Sequence, residues 1–159
     1  MIRLTYIVDS VAKLITTNFP EFELHVLNPV KNDFKPEDKK IYLLIEEGSR
    51  ETQLDYYEKR TVLCRVFHKL HDSQNYNYYD FIDNFRYKVL KDQILIDPSL
   101  RDALNPEPQR YFTAIDINES ILETNIVEVS FSFLFEDIFR YDEQPETLEE
   151  IRMKEEVNE

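Results

Sequence analysis

The scarcity of glycine constrains this chain more than any other feature of its sequence. Gly48 is the one glycine in 159 residues, where average usage near 7% would supply about eleven. Phosphate-binding loops, dinucleotide-binding fingerprints and nucleophile elbows each need several positions without a Cβ atom. The sequence therefore excludes these glycine-dependent nucleotide-binding and catalytic motifs.

The charge balance argues against two further classes of partner. The chain has 19 lysines and arginines against 32 acidic residues, a formal net charge of −13. Because phosphate binding needs a concentrated basic surface, we expect neither a nucleic-acid groove nor docking on anionic lipid. Hydrophobic residues make up 42% of the chain, so we expect one domain with a packed core.

Cysteine usage and the N-terminus bear on the compartment. Cys64 is the only cysteine, so no intrachain disulfide can form and nothing indicates an oxidising environment. Residues 1–6 lack the basic stretch and apolar run of a signal peptide. The longest apolar runs are far shorter than the roughly 20 residues of a membrane helix. These features predict a cytoplasmic protein without a membrane partner.

The first half of the chain shows helical spacing and then alternation. Apolar residues recur every three or four positions from Leu4 to Phe19, which predicts a helix that Pro20 ends. Alternation of apolar and polar residues then predicts strands over 22–26, from Ile41 up to Gly48, and over 61–67. The polar segment 31–40, which contains Pro36, and a polar connection around Tyr56 and Tyr57 are expected to separate these strands.

The second half returns to helical spacing before two more strands. The pattern predicts a helix from Tyr78 to Asp92 and a loop at Asn105–Pro108. Alternation predicts a fourth strand over 111–117 and a long last strand over 127–136. In that last strand Val127, Val129, Phe131, Phe133 and Phe135 are expected on one face, and Glu128, Ser130, Ser132 and Glu136 on the other.

The order α-β-β-β-α-β-β, without regular strand–helix alternation, predicts an α+β domain. We expect a mainly antiparallel sheet over residues 1–140 with two helices packed on one face. Residues 141–159 form an acidic C-terminal extension with eight carboxylates against Arg152 and Lys154. Leu148, Ile151 and Met153 supply most of its apolar surface, and we expect them to bind a neighbouring subunit or another partner protein.

His68, His71 and Asp72 are close enough in sequence to suggest a metal site. A spacing of three on a strand that runs into a loop points the two imidazoles to opposite sides, and no fourth ligand lies nearby in sequence. Cys64 alternates with buried apolar positions, so a small core residue is favoured over a nucleophile. We therefore predict no metal ligand and no catalytic cysteine here.

Two other groups of side chains could in principle carry chemistry. Adjacent acids such as Glu46 and Glu47 arise by chance among 32 carboxylates, and neighbours on a strand face opposite ways. Tyr76, Tyr78 and Tyr79 lack the surrounding basic residues of a base-stacking platform. An interface or a helix cap is the favoured interpretation of these tyrosines. We predict no catalytic residue and no cofactor.

A succession of segments resembles one known family. The strand Arg60-Thr61-Val62-Leu63-Cys64-Arg65-Val66 precedes the predicted helix over 78–92 and the turn Asp97-Pro98-Ser99-Leu100. An acidic turn, Asn118-Glu119-Ser120, and the long last strand follow. This order is similar to the tail terminator and tail-completion proteins of tailed bacteriophages, including head–tail joining proteins of similar size. The resemblance implies two helices on an antiparallel sheet and assembly into hexameric rings that cap the tail tube.

The resemblance leads to one functional hypothesis, and the composition leaves another open. The first is a structural virion protein, not an enzyme, that forms a homo-oligomeric ring at the tail–neck junction after assembly in the host cytoplasm. Its partners would be the tail tube protein and a neck or head-completion protein, with DNA passing through without specific binding. The alternative is a small acidic cytoplasmic adaptor or inhibitor, such as a DNA mimic.

Overall fold

A computed structural model describes residues 1–31, 34–54, 57–70, 78–104, 107–123 and 125–138 of the chain. Two α-helices lie in this part: α1 spans Leu4–Asn18, and α2 spans Tyr78–Phe85 and continues as a π-helical turn over Arg86–Leu90. A 3₁₀ turn covers Pro98–Leu100. The strands are β1 Glu23–Val26, β2 Lys40–Leu54, β3 Tyr57–Lys69, β4 Ile94–Ile96, β5 Arg110–Phe112, β6 Ile115–Glu123 and β7 Ile126–Ile138.

The strands form a five-stranded sheet in the order β1-β2-β3-β7-β6 and a separate β4-β5 pair. The pairings β2–β3, β3–β7 and β6–β7 are antiparallel, whereas β1 runs parallel to β2. The long strand β7 lies beside the whole of β3, from Lys69 opposite Ile126 to Tyr57 opposite Ile138. The predicted α+β class with a mainly antiparallel sheet is confirmed.

The main core lies between one face of the sheet and the two helices. Helix α1 buries Tyr6, Ile7, Val11 and Ile15, and α2 buries Phe81, Ile82 and Phe85. These side chains belong to one cluster with alternate residues of β2, β3 and β7. The predicted inward face of the last strand is confirmed, because Val127, Val129, Phe131, Phe133 and Phe135 are all buried.

A connection between the parallel strands covers part of the opposite face. Residues 27–39 join β1 to β2. Leu27 and Phe34 pack there against the buried side chains of Tyr42, Leu44 and Phe67. The predicted polar loop over 31–40 falls in this segment except for Lys40, the first residue of β2, and residues 32 and 33 lie outside the described part. The contacts of Phe34 place this segment on the sheet face away from the helices. We call this face the outer face.

The strand predicted over 111–117 is wrong as one element. The structure divides it into β5, which pairs with β4, and β6, which pairs with β7. Asp116 has a φ of 51° beside a register shift between Ile115 and Asn118, so the start of β6 is irregular. The predicted turn Asn118-Glu119-Ser120 is also wrong, since these residues pair with β7. Alternation cannot show that successive apolar residues belong to different sheets.

Strand β2 runs farther than predicted. It passes Gly48 and continues to Leu54, and Tyr57 already belongs to β3, so the expected polar connection shrinks to residues 55 and 56, outside the described part. A Cβ atom at Gly48 would lie 2.9 Å from the carbonyl oxygen of Thr61, closer than real contacts allow. Gly48 therefore permits a register shift between Glu47 and Arg50 where β2 approaches β3. The described part ends at Ile138, so the predicted boundary at 140 and the extension 141–159 lie beyond it.

Candidate interaction surface

His68 is a core residue, as its position on β3 makes it face the helices. It is 2% exposed, its ring lies 4.5 Å from that of Phe22 and 4.6 Å from that of Phe81, and Nδ1 is 2.9 Å from the Lys40 carbonyl oxygen. Burial lowers the pKa of His68, so the neutral imidazole is favoured. His71 and Asp72 lie outside the described residues. Within the described residues, no group of three or more His, Cys, Asp or Glu side chains could hold a metal ion.

Cys64 lies opposite Phe131 in the centre of the sheet and is fully buried. Burial raises the pKa of its thiol far above the ordinary range, which keeps the sulfur protonated and a poor nucleophile. The tyrosines do not form one platform either. Tyr78 packs against the core, its ring lies 5.2 Å from that of Tyr79 in an edge-on arrangement, and Tyr76 lies outside the described part. Across the described residues, no helix is long and apolar enough to cross a membrane.

A buried charge network lies at one end of the main core, and sequence analysis did not identify it. Arg60 on β3 is 1% exposed and is the largest fully buried side chain. Its Nε and Nη2 atoms donate to the two carboxylate oxygens of Glu47 at 2.9 and 3.0 Å. Its Nη1 atom donates to Asp137 Oδ2 at 2.8 Å and to the carbonyl oxygen of Ile2. The backbone N–H of Ile2 also donates to that Asp137 oxygen, at 2.8 Å.

The network joins the start of the chain to the ends of two strands. Burial lowers the pKa of Arg60, but the hydrogen bonds and charges of Glu47 and Asp137 outweigh that effect and raise it. Burial likewise raises the pKa of Glu47, but hydrogen bonds from Arg60 and Arg50 hold it below its usual value. Arg60 and Glu47 therefore remain charged and partnered. We interpret the network as structural, because the donors of Arg60 are engaged within the domain.

The outer face at the same end of the sheet carries exposed apolar side chains. Tyr57, Leu134 and Ile138 are each 46% exposed. Tyr57 lies directly opposite Ile138 in the register, and Leu134 lies opposite Thr61. Because Phe133, Phe135 and Asp137 point into the core, the alternate residues must point outward. We call Tyr57, Leu134 and Ile138 the apolar patch.

No described element covers the apolar patch. The connection 27–39 packs on the outer face near Tyr42 and Phe67, toward the opposite end of β3. The sequence does contain a signal for the patch. Leu134 and Ile138 interrupt the polar side of the last strand, where serines and glutamates otherwise alternate with phenylalanines. Exposed apolar groups that break such alternation favour a protein-binding surface.

The strand edges are poorly suited to pairing with a strand of another chain. The edge strand β6 has register shifts at both ends, which leave regular pairing only over Asn118–Ile121. At the other edge β1 has four residues and pairs with Lys40–Leu43 alone. The remaining length of β2 is interrupted by shifts after Glu47 and after Thr52. Bulged or short edges of this kind disfavour the addition of another strand, so assembly through faces is favoured.

Comparison with known proteins adds no family to this picture. No protein-family model matches the sequence, and no curated protein is significantly similar to it. The predicted partner-binding residues Leu148, Ile151 and Met153 lie outside the described residues. The candidate surface that the structure does describe is therefore the apolar patch on the outer face.

Proposed function

We propose that this chain is a structural virion protein that forms a ring, expected to be hexameric, at the tail–neck junction of a tailed bacteriophage. The ring ends the tail tube and joins it to the head through a neck or head-completion protein. Subunits assemble in the host cytoplasm, and the protein has no catalytic role. The similarity in element order described above is the origin of this proposal.

The observation that supports assembly most strongly is the apolar patch. Tyr57, Leu134 and Ile138 lie on the regularly paired strands β3 and β7, on the face opposite the helices. Rigid strands present such side chains with little loss of conformational freedom on binding. Exposed aromatic and aliphatic groups on a rigid element are typical of subunit contacts. A ring subunit needs at least one such face.

The charge of the chain is compatible with a ring around passing DNA. A positive inner surface would bind phosphates and retard passage, and its strength would depend on salt. The net charge of −13 disfavours that outcome. The proposal therefore assigns DNA no specific binding residue, only passage through the lumen.

The mass of the purified full-length protein, alone and with tail tubes, tests the proposal. We expect six times the 19.2 kDa of one chain, or rings on tube ends by negative-stain microscopy. The double substitution Leu134→Asp and Ile138→Asp should abolish the ring while the domain remains folded, since both side chains are about half exposed. Leu104→Asp is the matched control, because Leu104 is exposed and belongs to no strand.

Two results would contradict the proposal. The first is a protein that stays monomeric or dimeric both alone and with tail tubes, which would favour the acidic adaptor instead. The second is a ring that survives the double substitution in the apolar patch as well as it survives Leu104→Asp. The second result would reject the patch as the subunit contact and leave the ring itself in place.

A further inference from the structure

Lysines cluster in the connection between β1 and β2. Four lysines lie within ten residues there, Lys31, Lys35, Lys39 and Lys40, beside Asp33, Glu37 and Asp38. The extension 141–159 has the opposite character, with eight acidic residues against two basic ones. Any lysine of the connection that lacks a partner within the domain would attract the carboxylates of the extension.

Several acids of the connection are already engaged within the domain. Lys40 Nζ lies 2.8 Å from a Glu37 carboxylate oxygen, and Lys69 Nζ lies 3.4 Å from an oxygen of Asp38. Lys31, Lys35 and Lys39 are exposed, and no ion pair joins any of them to another described residue. These three lysines are therefore available to an external carboxylate.

Exposed apolar groups accompany the lysines. Val26, at the end of β1, is 51% exposed, and Val30 is 88% exposed. Asn28 fixes Val30 in place by accepting a hydrogen bond from its backbone N–H at 2.9 Å. We call Val26, Val30, Lys31, Lys35 and Lys39 the lysine surface. It offers apolar contacts next to positive charge, which matches the composition of the extension.

We propose that the lysine surface of one subunit binds the acidic extension 141–159 of a neighbouring subunit. Leu148 and Ile151 contact the two valines, and the glutamates around them face the lysines. Exposed ion pairs contribute only about 0–1 kcal/mol each, so the apolar contacts must supply much of the affinity. This inference rests on the proposed ring, for which it names a contact between subunits in addition to the apolar patch.

The direction of β7 favours a neighbouring subunit over the same subunit. Strand β7 ends at Ile138, opposite Tyr57, whereas the lysine surface lies near the other end of β3, where His68 pairs with Ile41. Val26 lies level with Val66 of β3 through Leu43, nine residues from Tyr57, and strands rise about 3.3 Å per residue, so roughly 30 Å separates Val26 from the end of β7. Strand β7 runs away from the lysine surface of its own subunit toward Ile138. Leu148 could return to it only by reversing direction and then remaining almost fully extended.

A contact between two different surfaces has a consequence for symmetry. The extension and the lysine surface are different patches, so a contact between them can repeat head to tail from subunit to subunit. Such a contact closes into a ring when the rotation per subunit allows it. This is the type of contact that a hexameric ring needs.

Cysteine cross-linking of the full-length protein tests the inference, since native Cys64 is buried and unreactive. Lys35→Cys and Glu150→Cys are combined in one chain and treated with a short bis-maleimide. We expect a ladder of covalent multimers that ends at the ring size. A mixture of the two single variants should give covalent dimers, and each single variant alone should stay monomeric.

Charge reversal supplies an independent measurement on the same cross-link. Lys31→Glu in the cross-linking chain should lower the multimer yield at least fivefold, and adding Glu149→Lys should restore it. The matched control is Lys88→Glu, because Lys88 is exposed on the π-helical turn and lies far along the chain from the lysine surface. This control should leave the yield unchanged.

Each contradicting result has a distinct meaning. An intrachain cross-link in the double-cysteine variant, without multimers, would overturn the contact between subunits. Absence of any cross-link, or an intact ring after removal of residues 142–159, would overturn the inference while the proposed ring remains. Cross-linked open filaments without rings on tail tubes would support the contact and reject the proposed function.

Discussion

Arg60→Ala is the most direct test of the buried charge network. The side chain of Arg60 is 1% exposed. Without it Asp137, which is 5% exposed, would keep the backbone N–H groups of Ile2 and Ile138 and the more distant Arg110, whose Nη1 atom lies 3.8 Å away. Removing one partner of a buried ion pair costs about 3–5 kcal/mol, because the remaining buried charge loses its nearest opposite charge. The substitution also removes the contact of the guanidinium with the Phe135 ring, whose centre lies 5.1 Å away. We expect a loss of about 3–5 kcal/mol in the free energy of unfolding, or roughly 10–20 °C in Tm.

Arg101→Ala is the matched control for this measurement. Arg101 donates to Asp9 Oδ2 at 2.6 Å, but its side chain is 58% exposed. Exposed pairs contribute about 0–1 kcal/mol, so this variant should melt within a few degrees of the wild type. Urea unfolding followed by circular dichroism gives both free energies. Equal losses for the two variants would refute the view that Arg60 stabilises the fold through buried pairs.

The pH dependence of the same comparison provides a second check. Arg60 and Arg50 outweigh burial and hold the pKa of Glu47 below its usual value near 4.5. The unfolded chain therefore binds more protons near that pH, and the stabilisation is present above pH 4.5 and is lost as the pH falls below it. Arg60→Ala removes much of this lowering of the Glu47 pKa. The difference in stability between wild type and variant should narrow below about pH 4.5, and a constant difference would contradict the assignment.

Three further predictions concern the core and the extension. Phe131→Ala, at a fully buried position facing the helices, should cost about 3–5 kcal/mol by loss of burial and cavity formation; thermal unfolding within error of the wild type would contradict the facing of β7. Cys64 should not react with a thiol reagent until urea unfolds the protein, and rapid labelling of the native state would show that its burial is wrong. Truncation after Tyr141, or Leu148→Asp with Ile151→Asp, should leave Tm unchanged and weaken assembly onto tails; wild-type efficiency in a tail-completion assay would show that the extension is dispensable.

The local patterns predicted the elements that bury one face. Helix α1, residues 62–66 of β3 and residues 127–135 of β7 each repeat apolar residues with a regular period, so burial and periodicity give the same answer. The fold class follows from these elements. The strand order does not follow, because alternation specifies which side chains are buried and carries no information about the neighbouring strand.

Long-range pairing accounts for what the sequence could not show. Arg60 occupies an inward position of a strand, where periodicity predicts an apolar residue. Its partners Glu47 and Asp137 are 13 and 77 residues away in the chain. A buried arginine is stable only when the fold brings such carboxylates together. The pattern marks Arg60 as an exception in the alternation, but it does not show which carboxylates pair with it.

The parallel pairing of β1 with β2 explains why the outer face has two different ends. Parallel neighbours cannot be joined by a tight turn and need a crossover of about a dozen residues, which residues 27–39 supply. The ring of Phe34 in this crossover lies 4.9 Å from Tyr42 and 5.3 Å from Phe67, so one end of the outer face is covered and presents lysines. The other end retains the exposed apolar patch. Because these ends differ, the outer face carries two unlike surfaces, and each of them can contact a different surface of a neighbouring subunit, as a ring requires.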